Sequence, residues 1–299
     1  MKHILFLLMA FIPGFSSATL KVVTTTPDLE ALVRSVGQDK VEVSSIAKGT
    51  QDVHQIEAKP SFMIRLRNAD LVVSQGLELE TAWLNPLTVG ARNPKILVGT
   101  AGFLELGPGL DPIEIPKGNI SRSQGDVHPG GNPHFQLDPI RMGQAAMIVA
   151  EKLSELDPGD KTFYLQQAKL FQNHLQEKTK LWEARIKKTG LKEIITYHKT
   201  FGYFLDRFGV TGVMELEPKP GIPPTAGHLL EVISVIKKRN IKLVLIENYY
   251  DNSAGEKLKQ EIPGLVVLRV PVSIGGEPDV KSTEELMEKI VAAFESVKK

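Results

Sequence analysis

The chain contains 299 residues, enough for two domains of ordinary size. Its 36 Lys and Arg residues nearly balance its 35 Asp and Glu residues, so the formal net charge of +1 lacks the basic excess typical of nucleic-acid-binding proteins, and we expect no nucleic-acid partner. The hydrophobic content of 42% argues against a disordered or collagen-like chain, and the absence of Cys excludes disulfides, thiolate metal sites and cysteine nucleophiles.

Residues 1–18 are predicted to be an export signal that is removed from the mature protein. Lys2 supplies a positive charge, residues 4–12 form an apolar run, and residues 16–18 are the small residues that a signal peptidase needs. The apolar run is shorter than the roughly 20 residues that a membrane-spanning helix requires. Because no Cys follows the signal, we expect an exported protein without a lipid anchor.

The first half of the mature chain alternates short β-rich runs with helical patterns. One helix is predicted to begin at Asp28 and another at Pro60, since proline is favoured in the first turn of a helix. The predicted strands are residues 20–25, 41–46, 71–74 and 95–98. Strands that alternate with helices in this way predict parallel βαβ layers.

A long periodic segment occupies the middle of the chain. It begins at Asp157 and Pro158, which form a strong helix start, and continues to about Lys188. At about 1.5 Å per residue, roughly 30 helical residues would extend about 45 Å, which is longer than a typical globular helix. Such a helix suits a rigid connection between two lobes.

The alternation then repeats, with helices expected from Thr200, over residues 225–238 and over residues 283–297. The predicted strands of this half are residues 193–197, 212–216, 243–246 and 265–268. We therefore predict an α/β protein with two lobes of parallel sheets joined by one long helix. The expected units are the signal at 1–18, an N-terminal lobe at 19–156, the connecting helix at 157–189 and a C-terminal lobe at 190–299.

Three histidines occupy positions that suit a binding site. His54 lies in the loop after the second predicted strand, His198 directly follows the strand at 193–197, and His134 precedes a helix. Ligands of open parallel α/β sheets bind beyond the carboxyl ends of the strands. Three imidazoles converging between two lobes would form a nitrogen site suited to Zn²⁺. From spacing alone, however, the commoner interpretation of each is an ordinary hydrogen-bonded loop residue.

Neither the remaining histidines nor the sequence motifs indicate an enzymatic activity. His174 is expected on the solvated face of the long helix, and His228, near a helix start, is expected at the surface or in a capping role. The phosphate-binding, dinucleotide-binding and nucleophile-elbow glycine motifs are absent, as is H-E-x-x-H. Two alternatives stay open: an exported zinc hydrolase with Glu57 or Glu247 as general base, and a metal-free adhesin or structural protein.

The segments around the three histidines resemble the metal-ligand loops of the zinc/manganese solute-binding proteins of ABC transporters, the cluster A-I group. The matching segments are Asp52-Val-His54 with Glu57 and Pro60-Ser61, Asn132-Pro-His134 with Leu137-Asp-Pro139, and Tyr197-His198-Lys-Thr-Phe-Gly-Tyr-Phe204. The order of signal, lobe, single long helix and lobe is also similar to that family.

The resemblance implies His54, His134 and His198 as ligands of a transported metal ion. It further implies a monomeric periplasmic protein, not an enzyme, that hands the ion to a membrane ABC permease. The third ligand is commonly His in zinc carriers and Glu in manganese carriers, so His198 favours Zn²⁺, with Mn²⁺ as the alternative.

The identity of a fourth ligand is open at the sequence level. The family often supplies an Asp after the last strand, but residues 269–276 contain none. Glu247 is the preferred substitute, either as a ligand or as a group that orients a histidine, followed by Asp279 and then by water. The loop before the second motif is often His-rich in the family, but here it holds only His128, which puts accessory metal capture by that loop in doubt.

Overall fold

The computed structural model describes residues 19–118 and 124–297, and the predicted export signal lies outside them. Two four-stranded parallel sheets, each flanked by helices, form two lobes, as the sequence predicts. Among the helices of the described ranges, none combines the length and apolar character needed to cross a bilayer.

The first sheet is built from strands that are buried by helices. It comprises β1 (Leu20–Thr24), β2 (Val41–Ser45), β3 (Leu71–Ser74) and β4 (Phe103–Glu105), in the spatial order β2-β1-β3-β4 and all parallel. The helices of this part are α1 (Pro27–Gly37), α2 (Pro60–Arg67) and α3 (Leu84–Gly90). All four residues of β3 are buried, which is expected when helices cover both faces of a parallel sheet.

The strand predicted over residues 95–98 is wrong. The structure instead forms a single 3-10 turn at Pro94–Ile96 and places the fourth strand at β4. Pro94 has no backbone N–H to donate to a strand partner, and the side chain of Asn93 accepts a hydrogen bond from the N–H of Lys95 and so stabilises the turn. Val98 is 63% exposed, so this short apolar run does not enter the core.

Two consecutive helices occupy the middle of the chain, and the second joins the lobes. They are α4 (Pro139–Leu156) and α5 (Lys161–Thr189), which packs along α4 and also contacts α1. Buried residues recur along one face of α5, at Tyr164, Ala168, Leu175, Trp182 and Ile186, at the spacing of an amphipathic helix. The helix ends at a left-handed glycine with a φ of 76°, the usual C-terminal signal.

The second sheet repeats the strand order of the first. Its elements are β5 (Glu193–Thr196), α6 (Gly202–Phe208), β6 (Thr211–Glu215), α7 (Ala226–Arg239), β7 (Leu243–Glu247), α8 (Ser253–Glu261), β8 (Val266–Val270) and α9 (Thr283–Glu295), with strand order β6-β5-β7-β8. In both sheets the second strand in sequence lies on one side of the first strand, and the third and fourth strands lie on its other side. Loops diverge at such a reversal and leave a crevice at the carboxyl ends of the strands.

Buried carboxylates tie the lobes together. The side chain of Asp28 in α1 accepts hydrogen bonds from the Ser273 hydroxyl and from the N–H of Ile274, and burial raises its pKa to about 6. The fully buried Asp138 begins α4 and binds Arg141 at 2.6 Å and Arg207 of α6 at 2.8 Å. These contacts fix the two lobes against each other.

Replacing Asp138 with Ala should destabilise the protein by about 3–5 kcal/mol, because it removes the partner of two arginines together with a helix cap. Urea denaturation measures this loss. The matched control is Arg239→Ala, which breaks an exposed pair with Glu193 and should cost less than about 1 kcal/mol. Equal effects of the two substitutions would contradict the role assigned to Asp138.

Candidate metal centre

His54 is held by the turn that follows β2. It lies in a 3-10 turn at Val53–Gln55, where the Asp52 carboxylate accepts hydrogen bonds from the His54 backbone N–H at 3.0 Å and from the His54 ring Nδ1 at 2.7 Å. Burial alone would raise the pKa of Asp52, but its contacts with His54 hold that pKa below the usual value. The carboxylate therefore turns the His54 ring so that Nε2 faces away from Asp52.

His198 follows β5 and is oriented in the same manner by Glu217. Its Nδ1 lies 2.7 Å from the Glu217 carboxylate, and both side chains are buried. Thr196 pairs with Glu215 in the parallel ladder. His198 and Glu217 each lie two residues beyond this pair, which places them side by side. Sequence reasoning missed Glu217; the signal that could have found it is its position two residues beyond β6, the strand next to β5.

His134 is contributed by the loop before α4 and is buried. The side chain of Asn132 accepts a hydrogen bond from the His134 backbone N–H at 2.9 Å and donates one to the carbonyl of Lys199, at 2.8 Å, beyond the end of β5. The loop is therefore anchored to the second lobe. His134 Nε2 is buried and has no hydrogen-bond partner in the described structure, a costly state for a polar atom unless a ligand satisfies it.

The three rings converge at one point. One nitrogen of each of His54, His134 and His198 can be chosen so that all three atoms lie within 4.8 Å of one another, and the ring centroids are 5.3 to 5.6 Å apart. Burial, assisted by the charges of its His neighbours, lowers the pKa of His134 well below its usual value, so this ring stays neutral and can donate its lone pair. Convergent imidazole nitrogens fit a divalent ion such as Zn²⁺.

The candidate fourth ligands differ in their burial and in their partners. Glu247, at the end of β7, is fully buried but is not part of the group within 4.8 Å. Burial raises the pKa of Glu247 to about 8, although the Thr200 hydroxyl and the backbone of His198 act to lower it. The exposed Asp279 instead pairs with Lys289 at 2.9 Å. His128, whose role the sequence left open, has its Nε2 3.3 Å from His54 Nε2.

The other two described histidines lie apart from the cluster. His174 is half-exposed on α5 and contacts Glu284 at 2.7 Å, while His228 Nε2 lies 2.9 Å from the carbonyl of Glu215. The position of His174 agrees with the solvated face expected from the sequence, whereas the side chain of His228 is only 13% exposed and does not lie at the surface.

A cavity of about 250 Å³ opens onto the cluster. Its lining includes His128, His134 and His198, together with Glu114 and Lys199, which lie 3.9 Å apart. Two of the three clustered histidines, His134 and His198, therefore face this cavity.

Comparison with known proteins identifies the family. The family described as ZnuA, "Zinc-uptake complex component A periplasmic", matches residues 22–297. The high-affinity zinc uptake system protein ZnuA of Bacillus subtilis (strain 168) is 25% identical over 246 residues, which are 81% of this chain and 75% of the relative. The manganese ABC transporter substrate-binding lipoprotein PsaA of Streptococcus mitis is 24% identical over 253 residues, or 82% of this chain and 78% of the relative.

The fold is shared with solved structures. A crystal structure of ZnuA superposes with a TM-score of 0.74 at 22% identity and covers 92% of this chain and 99% of the other. The family match extends over nearly the whole chain, so it includes both lobes and all three histidines of the cluster. The chain belongs to the family of the periplasmic component A of zinc-uptake complexes.

Proposed function

We propose that this protein binds a divalent metal ion, Zn²⁺ in the first place, and delivers it to a membrane ABC permease. The observation that carries the proposal is the convergence of His54, His134 and His198 within 4.8 Å. The ion is the transported substrate, and the family is one of transport components rather than of enzymes.

The donor set supports Zn²⁺ over Mn²⁺. Imidazole nitrogens suit Zn²⁺, whereas Mn²⁺ prefers carboxylate, carbonyl and water oxygens. The relatives include both a zinc uptake protein and a manganese-binding lipoprotein, so Mn²⁺ stays the alternative within the same function. The three ligands proposed here are His54, His134 and His198, with Glu247 as an oxygen donor or as a group that orients a histidine.

The cellular setting is also part of the proposal. We expect a periplasmic monomer, exported by the signal at residues 1–18 and without a lipid anchor. The carboxylate contacts between the lobes, at Asp28 and Asp138, leave little freedom for hinge closure. Release of the ion to the permease then proceeds by movement of loops at the cleft.

The stripped mature protein should bind about one equivalent of Zn²⁺ in a calorimetric titration. Single replacement of His54, His134 or His198 by Ala should weaken binding by at least about tenfold, because each removes one nitrogen from the coordination sphere. The control is His174→Ala, which changes an imidazole on the surface of α5. Absence of a saturable site in the unaltered protein would refute the proposal.

Glu217→Gln should weaken zinc binding by about 10–100-fold without abolishing it. The carboxylate makes the His198 ring more basic and fixes its tautomer, and such outer groups typically contribute this much to metal affinity. A chelator competition assay measures the change. Glu231→Gln is the matched control, because Glu231 is exposed and lies 3.6 Å from His228, away from the centre. Equal dissociation constants for Glu217→Gln and the control would show that Glu217 does not act on the metal.

A further inference from the structure

The turn at residues 272–276, which follows β8, is contacted by three segments of the first lobe. The first is α1, whose buried carboxylate binds this turn. The second is the segment of His134, because the buried side chain of Gln136 donates a hydrogen bond to a carbonyl of the turn at 3.4 Å. The third is the segment of His54, which approaches the turn at Gly49. Two of the three segments that carry the clustered histidines therefore meet the same turn of the second lobe.

The approach at Gly49 leaves no room for a side chain. A Cβ atom at this buried position would collide with the carbonyl oxygen of Ile274 and would lie only 2.5 Å from the nitrogen of Gly276. Both opposing atoms belong to the backbone, so neither can turn aside as the end of a flexible side chain could. The backbones of the two lobes are thus in direct contact at this point.

Asn248 fastens this contact from the second lobe. It is the first residue after β7, and its side-chain amide donates hydrogen bonds to the carbonyl of Gly49 at 3.3 Å and to that of Gly276 at 3.0 Å. Because both partners are carbonyls, which only accept, the amide nitrogen rather than the amide oxygen must face them. A single side chain therefore joins the first lobe to the turn.

The chain between Gly49 and His54 is stiff. Residues 48–51 form a turn that is closed by a backbone hydrogen bond of 3.0 Å between its last and first residues and by a side-chain hydrogen bond of 2.9 Å. The 3-10 turn that carries His54 follows directly, and Trp83 of the first lobe binds the carbonyl of Val53 in it at 2.9 Å. Because hydrogen bonds hold the whole segment, a displacement at Gly49 also displaces the His54 ring.

Metal affinity depends on such placement, because the ligands of a metal site must be held within about 0.5 Å of their productive positions. We propose that the 272–276 turn is a positioning element of the metal centre, which sets the histidines of the first lobe against His198 through Gly49, Gln136 and Asn248. The three-histidine group contains none of these three residues, so they act through the histidines. The inference rests on the proposed function, since the effect it describes is an effect on metal affinity.

The test uses Gly49→Ala and Asn248→Ala, which disturb the same contact from opposite lobes. Each should weaken Zn²⁺ binding by about tenfold in a chelator competition assay, the lower end of what residues behind the ligands typically contribute. Asn68→Ala is the control for the amide, because Asn68 is exposed and donates to a carbonyl of α2. Gly227→Ala is the control for the added methyl group, because a Cβ atom there has no neighbour within 4 Å. Both controls should keep the affinity of the unaltered protein.

A second measurement separates positioning from general stability. Without metal, Gly49→Ala and Asn248→Ala should both melt at a lower temperature than the unaltered protein, whatever the contact does for the metal. Zinc affinity is then measured at a temperature at which circular dichroism shows each variant to be folded. A lower melting temperature with unchanged zinc affinity would mean that the contact is merely structural and would overturn the inference. If Gly49→Ala does not fold, Asn248→Ala decides by the same criterion.

The double variant gives a sharper criterion, because both substitutions break one contact. Its loss in the free energy of zinc binding should be smaller than the sum of the two single losses, and full additivity would contradict a shared contact. Lack of zinc binding by the unaltered protein would refute the proposed function itself. Normal binding by the unaltered protein, together with unchanged affinity in both single variants, would refute only the role of the turn.

Discussion

The structure depends on keeping several imidazole nitrogens close together inside a protein. Such a cluster is unfavourable on its own, because buried nitrogens without hydrogen-bond partners lose the solvation that water gives them. His134 shows this most clearly, since its Nε2 is buried and has no hydrogen-bond partner in the described structure. A divalent cation removes this unfavourable state, so metal binding and the stability of the centre are coupled.

The fold supplies each imidazole from a different segment and fixes each one separately. Asp52 orients His54 from within the same turn, whereas Glu217 orients His198 from the neighbouring strand. The loop of His134 is tied through Asn132 to the backbone of the opposite lobe. Because the anchors belong to both lobes, the geometry of the centre requires a fixed relation between them, which the buried carboxylates at the interface provide.

Much of this arrangement could be predicted from the sequence, and the failures have identifiable causes. Alternating strands and helices predict both sheets, and strand-exit positions predict the meeting of His54 and His198. The strand expected at residues 95–98 failed because a proline turn, rather than apolar character, determines the backbone there. The left-handed turn at Leu77 was not predicted, because Leu rarely adopts a positive φ and the Glu80 carboxylate imposes the turn by accepting hydrogen bonds from N–H groups four and five residues earlier in the chain.

X-ray absorption at the zinc edge of the loaded protein tests the central claim most directly, because it reports the atoms that surround the ion. The account predicts a shell at about 2.0–2.1 Å dominated by nitrogen, with the outer scattering of at least three imidazole rings. A shell made of oxygen alone, or the scattering of a single imidazole, would contradict the gathering of these histidines around one cation.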